Sequence, residues 1–381
     1  MFPGLYIGLI SGTSMDAVNS VLAEAAADGF HLLATRTVAL PAPLVDRLRR
    51  LAIPGGHAAA DGDAIDELGD LDYLVGELFA GAALGLLAAN GLVPAAVRAI
   101  GSHGQTLRHR PRGPRPFTLQ IGDPNIIATR TGIPVIADFR RRDMAHGGQG
   151  APLVPGFHAA VFAAPGEYRA VLNLGGIANL TTLAPGRPVT GFDTGPANGL
   201  MDAWTRRHLG QPYDADGAWA ASGQVCAPLL EALCTHPFLA LPPPKSTGPE
   251  DFTLAWLDAL VAAAGDPAPA DVQATLCEFT AATIAAPLAA EPPQRLIVCG
   301  GGVHNSHLLA RLAAQLPRTD IASSAAYGID PDQVEATAFA WLAARTVAGL
   351  PGNLPSVTGA ASAAVLGGTW PGAPGGGGHA T

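Results

Sequence analysis

The sequence predicts a two-domain α/β protein in which each half carries one phosphate-binding hairpin. Segments that favour strands alternate with segments that favour helices, which is typical of an α/β fold with right-handed crossovers. Two strand pairs turn through glycine at their tips and lie about 165 residues apart, as expected for a duplicated architecture. The chain has 381 residues, of which 48% are hydrophobic and 14% are charged. This length and composition suit two globular domains rather than one core or a disordered chain.

The first half is predicted to open with a hairpin. Leu5–Ile10 has the pattern of a buried strand, Ser11–Asp16 that of a polar turn and Asn19–Ala25 that of the returning strand. The later elements are expected to be helices at 44–51, 64–90 and 124–131 and strands at 98–102 and 133–139. Glycine and proline between 143 and 156 indicate a domain boundary, so the first domain is placed at 1–150.

The second half repeats this opening pattern. Tyr168–Leu183 is predicted to form a hairpin with Gly175-Gly176 at its tip. A strand is expected at 295–299, and helices are expected at 199–208, 253–264, 272–286, 306–315 and 332–348. The second domain is placed at 151–370, with a return to the first domain after about Gly352 as the alternative, and 371–381 is predicted to be a disordered tail. The two domains are expected to face each other across a cleft.

Composition argues against several classes of function. A formal net charge of −9 disfavours nucleic acid as the main partner, and the arginine-rich runs at 108–115 and 140–142 are either solvated faces or binding sites. The four cysteines form no CxxC pair, so a reducing compartment fits better than a disulfide framework. The N-terminus lacks the basic region of a signal peptide, and the longest apolar stretch, Phe79–Ala89, is too short to cross a bilayer. These observations predict a cytoplasmic protein without a membrane partner. Lys245 is the only lysine, which we attribute to genome composition.

Four glycine-rich segments have the composition of phosphate-binding loops. They contain the sequences SGTSMDAVN, LGGIAN, FDTGPANG and CGGGVHN. A glycine that follows a strand presents main-chain N–H groups without a Cβ in the way, which a nucleotide phosphate requires. For Gly300–Gly302, a tight strand–helix corner is the alternative to nucleotide contact. The chain has no Walker A motif, no GxGxxG motif, no protein-kinase motifs and no HExxH motif.

Two aspartates lie beside these glycines. Asp16 follows Gly12 at the first hairpin tip, where a carboxylate can hold Mg²⁺ against phosphate. Asp193 is predicted at a strand end that opens a loop, where it either forms a turn or takes part in the chemistry. Phosphoryl transfer requires Mg²⁺, backbone donors around the transferred phosphate and a base that orients the nucleophile. The chain offers candidates for all three.

Longer motifs resemble those of one enzyme family. The segments are SGTSMDAV (11–18), GSHGQTLRH (101–109), TLQIGDPNIIA (118–128), TGIPVIADFRRRDMAHGGQGAPLVPGFH (131–158), NLGGIANLT (173–181), GFDTGPANGLMDAW (191–204), PPKSTG (243–248), CGGGVHN (299–305) and LPSVTGA (354–360). Together they resemble the anhydro-N-acetylmuramic acid kinase family. The resemblance implies the two-domain, ribonuclease H-like fold of actin-like ATPases, sugar kinases and Hsp70, with a nucleotide and sugar cleft between the domains.

The resemblance also implies a reaction and a homodimer. ATP phosphorylates O6 of 1,6-anhydro-N-acetylmuramic acid while water opens the anhydro bridge at C1, which gives N-acetylmuramic acid 6-phosphate in murein recycling. Asp193 would take the proton from the water, and Asp16 would lie near the Mg²⁺. The residues implied for the sugar are Thr106, Arg140 and Glu335. The residues implied for the nucleotide are Gly12, Thr13, Ser14, Met15, Asp16, Ala17, Val18, Asn19, Gly175, Gly176, Gly300, Gly301, Gly302 and Asn305.

This chain departs from the family's usual pattern in a few places. Where the family usually reads SGTSxDGxD, Ala17 replaces the glycine and Asn19 replaces the second aspartate. Ala197 replaces a glycine in the GPGN loop, and Pro249 replaces the arginine that follows PPKSTG. Two alternative functions remain, a related sugar kinase with a different substrate and a catalytically silent nucleotide-binding protein.

Overall fold

The chain divides into two units at two points of the sequence. The computed structural model describes residues 3–12, 15–53, 55–56 and 62–372. Unit 1 consists of the residues up to Phe157 together with those from Gln333 onward, and unit 2 consists of His158–Asp332. This division differs from the predicted domains 1–150 and 151–370, because the chain returns to unit 1 at Gln333. Of the predicted tail, residues 373–381 lie outside the described part.

Strands and helices alternate along the chain. The strands are β1 (Gly4–Ser11), β2 (Ala17–Ala25), β3 (Phe30–Ala39), β4 (Val97–Arg110), β5 (Phe117–Ile121), β6 (Val135–Ala137), β7 (Arg169–Leu174), β8 (Ile177–Leu183), β9 (Thr190–Pro196), β10 (Arg295–Cys299), β11 (Asp320–Ser323) and β12 (Gly368–Trp370). The α-helices are α1 (Ala42–Ala52), α2 (Ala64–Ala89), α3 (Pro124–Thr131), α4 (Phe139–Ala145), α5 (Val154–Phe162), α6 (Asn198–Leu209), α7 (Ala218–Ser222), α8 (Ala227–Cys234), α9 (Leu254–Ala263), α10 (Pro269–Ala285), α11 (Ser306–Gln315), α12 (Val334–Val347) and α13 (Pro355–Thr358).

The sheet of unit 1 has the strand order β12-β6-β4-β1-β2-β3, and β5 pairs with β4. β1, β2 and β3 form an antiparallel meander, whereas β4 and β6 run parallel to β1 on its other side. Ser11 lies opposite Val18 in this register. The predicted glycine-tipped hairpin is therefore present, and its returning strand begins at Ala17 rather than at Asn19.

The sheet of unit 2 has the strand order β11-β10-β7-β8-β9. β7, β8 and β9 form an antiparallel meander, and β10 and β11 run parallel to β7. If the strands of each unit are numbered in chain order, omitting β5 and β12, both sheets read 3-2-1-4-5 with the same directions. This order is that of the predicted actin-like fold, and its repetition confirms the duplicated architecture.

Helix α12 explains why the chain returns to unit 1 at Gln333. The helix packs against β1, β2 and β4. Beneath it lie Gly8 and Gly101, where a Cβ would collide with the main-chain oxygens of Ala336 and Phe339. Because glycine has no Cβ, the helix backbone can approach the sheet this closely. The sheet of unit 1 therefore holds α12, although unit 2 separates the two in sequence.

Helix α2 is the long apolar helix of unit 1. By length and composition it could cross a membrane, but half of its most apolar window is buried inside the structure. Leu71, Phe79 and Leu86 are fully buried in one core cluster with Leu9 of β1. A core helix of a globular domain has the same length and composition, so these properties do not distinguish the two cases.

Three local predictions differ from the structure. The strand expected at 133–139 is limited to Val135–Ala137, because α4 already begins at Phe139. β3 and β5 are additional strands, and the mixed polar and apolar residues of β3 reflect its place at the edge of the sheet. Asp193 lies inside β9, which continues to Pro196.

Candidate active site

The first hairpin tip lies between β1 and β2 and is tied to β4. The Gly12 carbonyl accepts hydrogen bonds from the main-chain N–H of Met15, at 3.1 Å, and from Gln105 Nε2, at 3.2 Å. The Met15 side chain is buried, whereas the Asp16 side chain is exposed. The tip is therefore anchored on the protein side and presents the Asp16 carboxylate to solvent.

The other predicted residues of this hairpin fall into two groups. Those outside the described part of the chain are Thr13 and Ser14. Those within β2 are Ala17, Val18 and Asn19. The Val18 side chain is 1% exposed, and Asn19 Oδ1 accepts a hydrogen bond from Thr37 Oγ1 at 2.8 Å. Nucleotide contact by these residues stays a prediction, and for Val18 it is restricted to the main chain.

Asp16 is the predicted metal ligand. Among the described residues, no group of three or more His, Cys, Asp or Glu side chains is arranged to hold a metal ion. Mg²⁺ that is bound with a nucleotide keeps several waters and takes one or two carboxylates in addition to phosphate oxygens. One exposed carboxylate at a hairpin tip fits this donor set.

Arg140 lies in a buried network of unit 1. Its Nε and Nη2 lie 3.0 and 2.9 Å from Nε2 of His103, and its Nη1 donates to the Gly150 carbonyl at 2.9 Å. His103 Nδ1 lies 2.9 Å from the Gly104 carbonyl, so a neutral ring that donates from Nδ1 and accepts at Nε2 satisfies all partners. Burial and the Arg140 charge hold the pKa of His103 well below its usual value. Three of the five guanidinium N–H groups are thus used, which leaves one on each terminal nitrogen.

Glu335 of α12 lies close enough to Arg140 for their charges to interact. Glu335 is exposed at the surface of α12, but the protein atoms around its carboxyl group desolvate it and raise its pKa. The Arg140 charge opposes this rise. Burial lowers the pKa of Arg140, and the charges of Glu335 and Asp143 oppose that change. Thr106 follows His103 along β4, and its Oγ1 accepts from Gln120 Nε2 at 3.0 Å. The structure therefore brings Arg140 and Glu335 together. Thr106 lies on β4, three residues after His103, the partner of Arg140.

Three of the predicted glycine-rich segments meet in unit 2. Gly175 and Gly176 form the tip between β7 and β8, and the Gly175 carbonyl accepts from the main-chain N–H of Asn198 at 3.0 Å. Asn198 Nδ2 donates to the Leu174 carbonyl at 2.8 Å. Gly302 packs against both, since a Cβ there would lie 2.6 Å from Leu174 Cβ and 3.0 Å from Asn198 Oδ1. These contacts place the second hairpin tip, the start of α6 and the turn after β10 side by side.

Gly300, Gly301 and Gly302 form the turn between β10 and α11. Gly300 has φ +81° and donates its N–H to the Pro331 carbonyl at 2.8 Å. Asn305 caps α11, with Oδ1 accepting from the main-chain N–H of Leu308 at 2.9 Å. The tight strand–helix corner is therefore present, and nucleotide contact at this turn stays a prediction.

Asp193 lies in the middle of β9 and not at a strand end. Its Oδ2 accepts a hydrogen bond from the main-chain N–H of Thr247 at 2.9 Å, across 54 residues of sequence. A partner so distant in sequence rules out the local turn-forming role. Burial raises the pKa of Asp193 to about 6, while the Thr247 hydrogen bond and the Lys245 charge oppose the rise. A carboxyl group with this pKa is ionised at neutral pH and is more basic than an ordinary aspartate, which suits a general base.

Sequence reasoning missed Lys245, Thr247 and His103 as parts of the site. Lys245 Nζ donates to the carbonyls of Leu239, at 3.0 Å, and Phe238, at 3.3 Å, and its charge acts on Asp193. Lys245 therefore has a defined place beside Asp193 in unit 2. The PPKSTG and GSHGQT motifs contain these residues and were the available signal.

A cavity of about 440 Å³ lies beside β9 in unit 2. Phe192 and Thr194 line it, whereas Asp193 does not, as the alternation of side chains along a strand requires. The remaining lining residues are Cys234, Leu239, Leu241, Pro243, Lys245, Ala282, Thr283, Ala286 and Pro287. This cavity is mainly apolar and separate from the Asp193 carboxylate.

Comparisons with known proteins agree with the motifs. A family model described as anhydro-N-acetylmuramic acid kinase matches residues 4–372. The anhydro-N-acetylmuramic acid kinase of Xanthomonas campestris pv. campestris (strain 8004) is 54% identical over 370 residues, which covers 96% of this chain and 97% of that protein. The enzyme of the same name from Shewanella halifaxensis (strain HAW-EB4) is 52% identical over 365 residues, covering 95% and 97%. Among solved structures, component A of the (R)-2-hydroxyglutaryl-CoA dehydratase of Acidaminococcus fermentans matches 88% of this chain and 96% of its own, with a TM-score of 0.48 and 12% identity. By the family model and these relatives, the chain belongs to the anhydro-N-acetylmuramic acid kinase family.

Proposed function

We propose that this protein uses ATP to phosphorylate O6 of 1,6-anhydro-N-acetylmuramic acid and opens the 1,6-anhydro bridge with water. The products are N-acetylmuramic acid 6-phosphate and ADP, which places the enzyme in murein recycling. Family membership supports the substrate. The structural observation that carries the proposal is Asp193, a half-buried carboxyl group whose pKa is raised to about 6 by burial and which suits a base.

Asp193 acts on the water that opens the bridge. The water oxygen forms a bond to C1 while the C1–O6 bond breaks, and one water proton moves to the Asp193 carboxylate. O6 then bonds to the γ-phosphorus, and the bond from that phosphorus to its bridging oxygen breaks, so that ADP leaves. Asp193 afterwards releases the proton to solvent. A positioned carboxylate base typically contributes about 10²–10⁴ in rate.

Arg140 binds the lactyl carboxylate of the sugar. One N–H remains on each terminal nitrogen after the bonds to His103 and Gly150, and two parallel N–H donors match the two oxygens of a carboxylate. Glu335 and Thr106 complete the sugar site, with Glu335 also balancing the Arg140 charge.

The nucleotide is held by the glycine-rich turns. The first hairpin segment, residues 12–19, receives the β- and γ-phosphates, and Gly175-Gly176 with residues 300–302 receive the rest of the nucleotide. Mg²⁺ would be held by Asp16 together with phosphate and water, and when bound it neutralises charge on the transferred phosphate.

The protein acts in the cytoplasm as a homodimer in this proposal. Cys226, Cys234, Cys277 and Cys299 all lie in the described part of the chain and form no disulfide bond there, which suits a reducing compartment. The dimer follows from the family resemblance, and sedimentation of the purified protein across a concentration series tests it, since a monomer at all concentrations contradicts it.

The decisive experiment incubates the protein with Mg²⁺, ATP and 1,6-anhydro-N-acetylmuramic acid and determines the mass of the sugar product. A product heavier by one phosphoryl group and one water supports both half-reactions. A phosphorylated product that retains the anhydro bridge contradicts the coupled mechanism. A clear preference for another sugar in a panel of amino sugars contradicts the substrate.

A further inference from the structure

Residues 243–251, with the sequence PPKSTGPED, run beside the edge of β9 and contact one residue of it twice. We call this segment the 243–251 loop. The main-chain N–H of Asp193 donates to the Lys245 carbonyl at 3.0 Å. The main-chain N–H of Thr247 donates to Asp193 Oδ2 at 2.9 Å. The loop therefore fixes both the backbone and the carboxylate of Asp193.

The loop is itself held at two points. Thr247 Oγ1 donates to Asp251 Oδ2 at 2.5 Å, which closes the segment on itself. Lys245 Nζ donates to the Leu239 and Phe238 carbonyls and lies 4.7 Å from the centre of the Phe238 ring. Thr247 thus presents its amide from a segment whose side chains are anchored on both sides.

These contacts treat the two oxygens of Asp193 differently. Oδ2 accepts the Thr247 amide, whereas within the described part of the chain no hydrogen bond is made to Oδ1. The amide also stabilises the ionised carboxylate, and the Lys245 charge acts in the same direction. The Asp251 carboxylate accepts from the Thr247 hydroxyl, and Thr247 in turn connects it to Asp193.

We propose that the 243–251 loop positions the catalytic carboxylate, with Thr247 immobilising Oδ2 and Asp251 immobilising Thr247, so that Oδ1 is the oxygen that accepts the proton from water. Thr247 and Asp251 are positioning residues, and Lys245 anchors the loop and favours the ionised base. This inference rests on the proposed function, in which Asp193 is the base.

The test compares two substitutions of Thr247. Thr247→Val keeps the shape of the side chain and removes the hydroxyl, so residue 247 loses its hydrogen bond to Asp251 and its amide is held less firmly against Asp193. Thr247→Ser keeps the hydroxyl and is the matched control. We expect Thr247→Val to lower kcat about tenfold to hundredfold, since small misplacements of a catalytic group are costly. KM for the anhydro sugar and for ATP should change less than about twofold, because only a transition-state interaction is lost. Thr247→Ser should keep kcat near the wild-type value, because the hydroxyl is retained.

A spectroscopic readout follows the carboxylate directly. Because Lys245 is the only lysine, growth on ¹³Cε-lysine labels one position in the whole chain. The Lys245 signal should show a titration step near pH 6 that Asp193→Asn abolishes. Thr247→Val should move this step to higher pH, since a hydrogen bond to the ionised form is weakened.

The outcomes separate the inference from the function on which it rests. If Asp193→Asn keeps full turnover, the assignment of the base is wrong, although a shifted Lys245 signal in Thr247→Val would still support the contact. If Asp193→Asn is inactive while Thr247→Val keeps both wild-type kcat and an unshifted signal, the positioning role is wrong. Should Thr247→Val fail to fold, Asp251→Asn weakens the same contact from its other side and is judged by the same two readouts.

Discussion

Arg140 in unit 1 and Asp193 in unit 2 are both charged groups in partly buried surroundings, and burial disfavours the charge of each, but they differ in the hydrogen bonds that hold them and in how close their pKa lies to neutral pH. Three of the five N–H groups of Arg140 are bonded, to His103 and to Gly150, and acidic side chains oppose the effect of burial. Asp193 accepts one hydrogen bond, from a main-chain amide to one of its oxygens. Burial raises its pKa to about 6, although that amide and the Lys245 charge oppose the rise.

This difference distinguishes a group that binds from a group that reacts. A guanidinium stays charged through the accessible pH range and has a fixed orientation, so it can recognise a carboxylate without changing state. A carboxyl group whose pKa lies near neutrality can be ionised before the reaction and protonated after it. The following predictions test whether the two groups differ in this way.

The largest effect is expected for the reacting group. Asp193→Asn keeps the size of the side chain and removes its basicity, so kcat should fall by about 10²–10⁴. ATP affinity, measured by calorimetry, should change little. Asp258→Asn, which alters an exposed aspartate paired with Arg207, is the matched control and should leave kcat unchanged. Near-wild-type turnover of Asp193→Asn would end the comparison, because Asp193 would then not be the base.

The binding group should act on one substrate only. Arg140→Ala removes two charge-assisted hydrogen bonds, so KM for the anhydro sugar should rise about tenfold to hundredfold while KM for ATP changes little. Arg141→Ala, one residue further along, removes an exposed arginine that pairs with Asp138 and serves as the control. Equal changes in both KM values would remove Arg140 from the sugar site.

The pH dependence sharpens the contrast further. Because Asp193 must be ionised to accept a proton and its pKa is raised to about 6, kcat/KM should fall about tenfold per pH unit below that pH. Burial raises the pKa of Asp202 to about 6 as well, so Asp202 is the competing source of such a limb. A pH–rate profile of Asp202→Asn decides between them, since a limb that disappears in this variant would belong to Asp202.

The smallest expected effect is on stability, where removing the Asp193 charge should raise the free energy of unfolding. The folded state binds the Asp193 proton more tightly than the unfolded state does, so ionisation of this group lowers the free energy of unfolding as pH rises from about 4 to 6. Asp193→Asn should therefore raise the free energy of unfolding by about 1–3 kcal/mol at pH 8. Urea unfolding at pH 8 and at pH 4 measures this, and the gain should vanish at the lower pH. A loss of stability at pH 8 would contradict this, because it would mean that the folded state favours the ionised carboxylate.

The parts of the fold that the sequence predicts well have local causes. The glycine tips of both hairpins and the strand at Arg295–Cys299 follow from short-range patterns of residue type. The return of the chain to unit 1 at Gln333 has no such cause, because it depends on the close approach of α12 to Gly8 and Gly101.

The site shows the same limit. Asp193 and Arg140 stand in motifs long enough to be matched to a family. Thr247 and Lys245 become part of the site only because β9 and the 243–251 loop are neighbours in space, and a hydrogen bond across 54 residues leaves no periodic trace. Likewise, nothing in the sequence indicates that His103 is a neutral acceptor for Arg140.

The discontinuity of unit 1 also sets an order in time. Residues 158–332 form one continuous unit, whereas the first 157 residues need the segment from Gln333 to complete their sheet and its covering helix. On the ribosome, synthesis proceeds at roughly 5–20 residues per second, so the strands of unit 1 wait on the order of ten seconds for α12. During that interval the face of the sheet that carries Gly8 and Gly101 lacks its covering helix, so we expect apolar residues of that face to be exposed to solvent and open to chaperone binding.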